Sequence, residues 1–190
     1  MGKYFLNSAH HFLPLLPQSL PLRHKHPTKL HVWAGISLKG RCGICIFEGI
    51  MKKELYTDIL DATLVPFIRD SWPDGHKFMQ DNDPKHTSKH VQKWITDNNI
   101  NWWKTPAESP DLNPIENLWH ELKEYIRRVA KPKTKDELVN GITAFWNTVD
   151  KQKCIKYIRH LRKGDRDGRS CHRILACITC SVHLYFVLST

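Results

Sequence analysis

The run Gln80-Asp81-Asn82-Asp83-Pro84-Lys85-His86-Thr87 follows a short segment, His76 to Asp81, whose apolar residues are Phe78 and Met79. A turn, Trp72-Pro73-Asp74-Gly75, precedes that segment. Four to six residues bounded by such turn chemistry read as a β-strand, which sets Asp81 at the strand's C-terminal end. A second acid, Glu116, lies in Ser109-Pro110-Asp111-Leu112-Asn113-Pro114-Ile115-Glu116-Asn117-Leu118-Trp119, with 34 residues between the two.

Outward from this pair, strand and helix signals alternate. Lys29 to Ile36 reads as a strand, Lys39-Gly40 as a turn and Cys42 to Phe47 as a second strand, so the two are expected to form an antiparallel hairpin. Leu55, Ile59, Leu64 and Phe67 recur at helical spacing from Lys52 to Ser71, with Pro66 expected to kink the helix late. Thr87 or Ser88 can cap a helix carrying Val91, Trp94 and Ile95, which Asn98-Asn99 ends before a strand from Ile100 to Trp103. Ile115, Leu118, Trp119, Leu122 and Ile126 mark a helix after the proline-rich loop 105–114. Thr134 and Glu137 form a capping box for a helix from Lys135 to Val149, and Gln152 to Leu161 gives a last one. This alternation predicts a mixed α/β sheet flanked by helices.

Two carboxylates at such positions are the ligand type for divalent cations in phosphoryl-transfer sites, where paired ions activate the attacking oxygen and stabilise the leaving one. Each acid also has an ordinary explanation. Asp-Asn-Asp-Pro is turn chemistry, and with Asn113 as N-cap and Pro114 at the first helical position Glu116 sits where a capping-box glutamate goes. Lys85 and His86 suit contacts to phosphate or tuning of the site, and equally suit a solvated loop.

The balance of 29 Lys plus Arg against 19 Asp plus Glu gives a net charge of +10 over 190 residues, which favours a polyanionic partner, nucleic acid foremost. Six cysteines include the pairs Cys42/Cys45 and Cys177/Cys180, spaced as in zinc sites, but Cys42 to Phe47 reads as strand without the tight turn of a zinc knuckle. Free thiols in a reducing compartment are the expectation. Pro14, Pro17 and Pro21 interrupt the apolar N-terminal stretch before a signal-peptide core forms.

From about Lys25 to Lys163 the chain resembles the catalytic domain of Tc/mariner superfamily transposases. The resemblance is carried by His31-Val32-Trp33-Ala34-Gly35-Ile36-Ser37, by Gln80-Asp81-Asn82 through His86-Thr87, and by the run from Ser109 to Trp119. It implies a ribonuclease H-like fold, Mg²⁺ or Mn²⁺ held by an acidic triad, and cutting and joining of DNA in the nucleus. By that resemblance Asp81 matches the second acid and Glu116 the third, both as metal ligands and catalytic residues. Lys85 and His86 become nucleic-acid contacts, and the partners become DNA and a homo-oligomer with no small-molecule substrate.

The first acid of that family lies on the first, central strand, yet no Asp or Glu precedes Glu48 here. Tyr4-Phe5-Leu6-Asn7 imitates a strand, but Asn7 is a neutral and poor ligand for a hard cation. The sheet is therefore expected to lack its first central strand, the helix-turn-helix region of the family to be missing, and catalysis to be lost. On this basis residues 1–28 are an irregular segment, 29–163 the ribonuclease H-like domain and 164–190 a divergent tail. Three alternatives accompany this expectation: a functional metal nuclease whose missing acid comes from another chain or an unexpected residue, a non-catalytic DNA-binding remnant, and a membrane protein tethered by the 17 residues Ile174 to Thr190.

Overall fold

A computed structural model describes residues 3–6, 28–104, 113–161 and 176–186. The hairpin forms as its sequence dictates. Strand β2 (Thr28–Ser37) pairs antiparallel with β3 (Gly40–Phe47), with His31 opposite Phe47 and Ser37 opposite Gly40. Gly40 turns the chain at φ +128, a conformation open to glycine and strained for other residues. Strand β1 (Lys3–Leu6) adds to the outer edge of β3, so Tyr4 to Leu6 form an edge strand; Asn7 lies outside the described residues.

The helical stretch after the hairpin is α1 (Lys53–Ile59), a π-helical turn over Leu60–Leu64, and α2 (Val65–Ser71). Pro66 falls in the first turn of α2, where its missing N–H costs little, and the wider turn just before it makes room for its ring. The expected late kink is thus absorbed as a bulge one turn earlier. Strand β4 (Lys77–Gln80) follows, then α3 (Lys89–Asp97), capped by Ser88 Oγ accepting from the Val91 amide at 3.4 Å. Asn99 at φ 53 ends that helix. Strand β5 (Trp102–Lys104), α4 (Ile115–Tyr125), α5 (Lys135–Thr148) and α6 (Lys151–Leu161) complete the alternation, and the Thr134/Glu137 capping box forms in full.

Set apart in sequence as a divergent tail, residues Ala176–Phe186 are strand β6 and stand inside the sheet. The strand order is β1-β3-β2-β6-β4-β5. β6 runs antiparallel to β2, from Thr28 opposite Phe186 to Ile36 opposite Ile178, and parallel to β4, from Lys77 beside Ala176 to Gln80 beside Thr179. The sheet therefore has no central gap. The physical reason is that an empty slot would leave the facing N–H and C=O groups of β2 and β4 without partners inside the molecule. No helix of the described residues is long and apolar enough to cross a membrane, and the segment weighed as a tail anchor contributes an extended strand.

Helices cover both faces. On one, α4, α5 and α6 bring Ile115, Leu118, Trp119, Leu122, Ile142, Trp146 and Ile158 onto Val32, Ala34, Ile44, Ile46 and Met79. On the other, α1, the π-helical turn, α2 and α3 bring Tyr56, Leu60, Phe67, Val91 and Ile95 onto Trp33, Cys45, Phe47 and Phe78. Alternation along β2 and β4 feeds both layers, since odd and even residues of a strand point to opposite faces. Cys42, Cys45 and Cys154 are buried.

Candidate metal centre

β4 delivers Asp81 to the end of the sheet. Its last residue, Gln80, is buried, and Asp81 follows with about a third of its side chain exposed (35%). The chain then closes on itself: the Asp83 amide donates to Asp81 Oδ1 at 3.3 Å, and the His86 and Thr87 amides donate to the Asp83 carbonyl at 2.9 and 3.1 Å. This is the Asx-turn geometry that Asp-Asn-Asp-Pro favours. The same turn serves both readings of Asp81, because it also aims the carboxylate.

His86 Nδ1 meets Asp81 Oδ1 as well. Burial pushes the Asp81 carboxyl up, but the hydrogen bond and charge of His86 and the Asp83 amide outweigh it and hold the group below the ordinary carboxylate range. Asp83 is lowered too; burial opposes the shift, and the amide and ammonium of Lys85 produce it. Lys85 Nζ stands 2.9 Å from Asp83 Oδ2 with about a third of its side chain exposed. His86, read as a phosphate contact or as a group that tunes the site, is only 1% exposed. Of the two basic residues read from the loop, Lys85 is the more exposed.

Glu116 is exposed in the first turn of α4, where the helix dipole favours a negative charge. Its capping role differs from expectation. The N-cap is Pro114, which has no side-chain acceptor, and Asn113 Nδ2 donates to Glu116 Oε1 at 3.4 Å while the Glu116 amide donates to the Asn113 carbonyl at 3.2 Å. With the helix starting one residue later, Glu116 falls one position short of the capping-box place.

Asp81 and Glu116 are hard oxygen donors, the right kind for Mg²⁺ or Mn²⁺. Among the described residues no three His, Cys, Asp or Glu side chains group to hold a metal ion. Two further residues, Tyr56 and Gln80, belong to this locus. Tyr56 Oη donates to Gln80 Oε1 at 2.5 Å, and Gln80 Nε2 donates to the His86 carbonyl at 2.9 Å. The sequence signal for them is Gln80 itself, a polar residue in a strand position that burial would otherwise give to an apolar one.

A family model described as DDE superfamily endonuclease matches residues 18–139, more than half of the chain. The Tc1 transposase of Caenorhabditis elegans is 31% identical over 133 residues, covering 67% of this chain and 48% of the relative. The Tcb2 transposase of Caenorhabditis briggsae is 39% identical over 98 residues, covering 52% of this chain and 36% of the relative. The chain belongs to the DDE superfamily endonucleases, in their Tc/mariner branch. As a DDE domain it spans less than half the length of these two curated relatives. The catalytic domain of the Mos1 mariner transposase matches it in structure with a TM-score of 0.61 at 16% identity, over 70% of this chain and 68% of that one. The Mos1 paired-end complex with Mn gives the same TM-score, over 86% of this chain and 52% of that one. At such identity the likeness is one of fold, and it agrees with the ribonuclease H-like architecture expected from sequence.

Proposed function

We propose that this DDE domain binds DNA, descends from a protein of DNA transposition acting in the nucleus, and does not itself cleave or join strands. The observation that carries the last part is the place of β6. A strand beside β4 is one place from which a third ligand could reach Asp81. Continuing the β4–β6 register one residue past Gln80 and Thr179 sets Asp81 level with Cys180, and β6 contains no Asp or Glu. The slot is filled, but by a strand without a carboxylate.

Asp81 and Glu116 are the residues that would hold a divalent ion, which when bound would supply Lewis-acid polarisation of a phosphodiester. The chain's own contribution is to keep Asp81 anionic and aimed, and to present Lys85 beside it. DNA binding is supported by the net charge of +10 and by the family. One solved relative in fold is a paired-end complex with a left transposon end, 19% identical with a TM-score of 0.58.

Fluorescence anisotropy on duplex DNA tests the binding. Affinity is expected to fall steeply with salt, about a thousandfold between 50 and 200 mM if roughly six phosphates are neutralised. Salt-independent binding, or none at low salt, contradicts it.

A further inference from the structure

His86 is fixed from three directions. Its ring stacks on Tyr56 of α1 with centroids 4.0 Å apart and planes 27° from parallel. Its carbonyl accepts from Gln80 of β4 at 2.9 Å, and its amide donates to the Asp83 carbonyl at 2.9 Å. Within this enclosure Nδ1 meets Asp81 Oδ1, and Nε2 is buried with no hydrogen-bond partner. An imidazole with one orphaned nitrogen is a costly way to fill space that a leucine would fill at no polar cost. Packing alone therefore does not account for a histidine here, and its one polar side-chain contact does.

We infer that His86 is a positioning residue, whose Nδ1–H locks the Asp81 carboxylate in the orientation needed to hold a divalent cation. The inference rests on the reading of Asp81 as a metal ligand. The ring acts through the acid, as hydrogen-bond partners of ligating carboxylates do. The Tyr56–Gln80 pair extends the same support, since Gln80 holds the backbone on which the ring is mounted.

The test uses the full chain and Mn²⁺, with free ion followed by electron paramagnetic resonance. His86→Leu is expected to weaken Mn²⁺ binding about tenfold or more. His86→Asn, which keeps an N–H donor near the Nδ1 place, is expected to stay near wild type, whereas His86→Gln, whose amide reaches the Nε2 place, behaves like the leucine variant. If the leucine variant does not fold, the asparagine and glutamine variants carry the same comparison. Wild-type affinity in His86→Leu, or equal losses in the asparagine and glutamine variants, overturns the inference.

A metal-free measurement separates this from the site itself. In EDTA, Asp81→Ala and His86→Leu are combined and unfolded in denaturant, and the double variant is expected to lose less stability than the two single losses added. Strict additivity overturns the positioning role. A wild-type chain that takes up no Mn²⁺ overturns Asp81 as a ligand, and the cycle then still decides whether His86 orients it.

Discussion

At the scale of single residues, burial and pairing pull in opposite directions, and the winner differs by site. At Asp81 burial favours the neutral acid, yet His86 and the Asp83 amide prevail and the carboxylate stays charged. At Cys154 burial prevails over the opposing charge of Arg41 and pushes the thiol up to about 12. An unfolded cysteine ionises near about 8.5, so the contribution of Cys154 to stability is complete below that pH and is lost as pH rises towards the folded value. Wild-type chain is therefore expected to lose stability between pH 8 and 10 faster than Cys154→Val, by up to about 1.4 kcal/mol per pH unit above the unfolded value. Denaturant unfolding across that range checks it, and parallel curves for the two proteins would refute it. His86 shows what residue-level reading misses: next to Pro84 and Lys85 it has the sequence of a solvated loop, and only the fold brings Tyr56 over it.

At the scale of elements, β6 is the piece on which the sheet depends, since it alone joins the β1-β3-β2 side to the β4-β5 side. Val182, opposite Val32 in the middle of its pairing with β2, is a direct point of attack. Val182→Pro removes an N–H from an interior strand and is expected to destabilise the fold by about 1–3 kcal/mol for an orphaned acceptor, with further loss from strand distortion. An unchanged unfolding midpoint would mean that β6 is not part of the sheet. The hairpin, α3 and α5 are legible in the sequence because their signals are local: Gly40 at the turn, Ser88 and Thr134 as caps, Leu138, Ile142 and Phe145 on one stripe. β6 is not legible in this way. Its partners Thr28 to Ile36 lie about 150 positions earlier, and no local period states which strand a distant apolar run will join. The start of α4 slipped by a residue for a similar reason, since Asn113-Pro114 permits two caps and tertiary packing of Ile115 chooses between them.

At the scale of the whole molecule, three layers of helix, sheet and helix are built from a chain of net charge +10 that carries Asp81 at the end of β4 and Glu116 in the first turn of α4. The match to the DDE superfamily spans the motifs around Asp81 and Glu116, and the sheet is continuous because β6 pairs with both β2 and β4. On the function proposed above, the net charge of +10 suits the chain to hold DNA, and β6 beside β4 brings no carboxylate to Asp81. The direct test is a nicking assay on supercoiled plasmid in Mg²⁺ and in Mn²⁺, comparing wild type with Asp81→Ala after both are shown to be folded. The expected result is no strand cleavage above background by either protein; metal-dependent nicking by wild type that Asp81→Ala abolishes would contradict it.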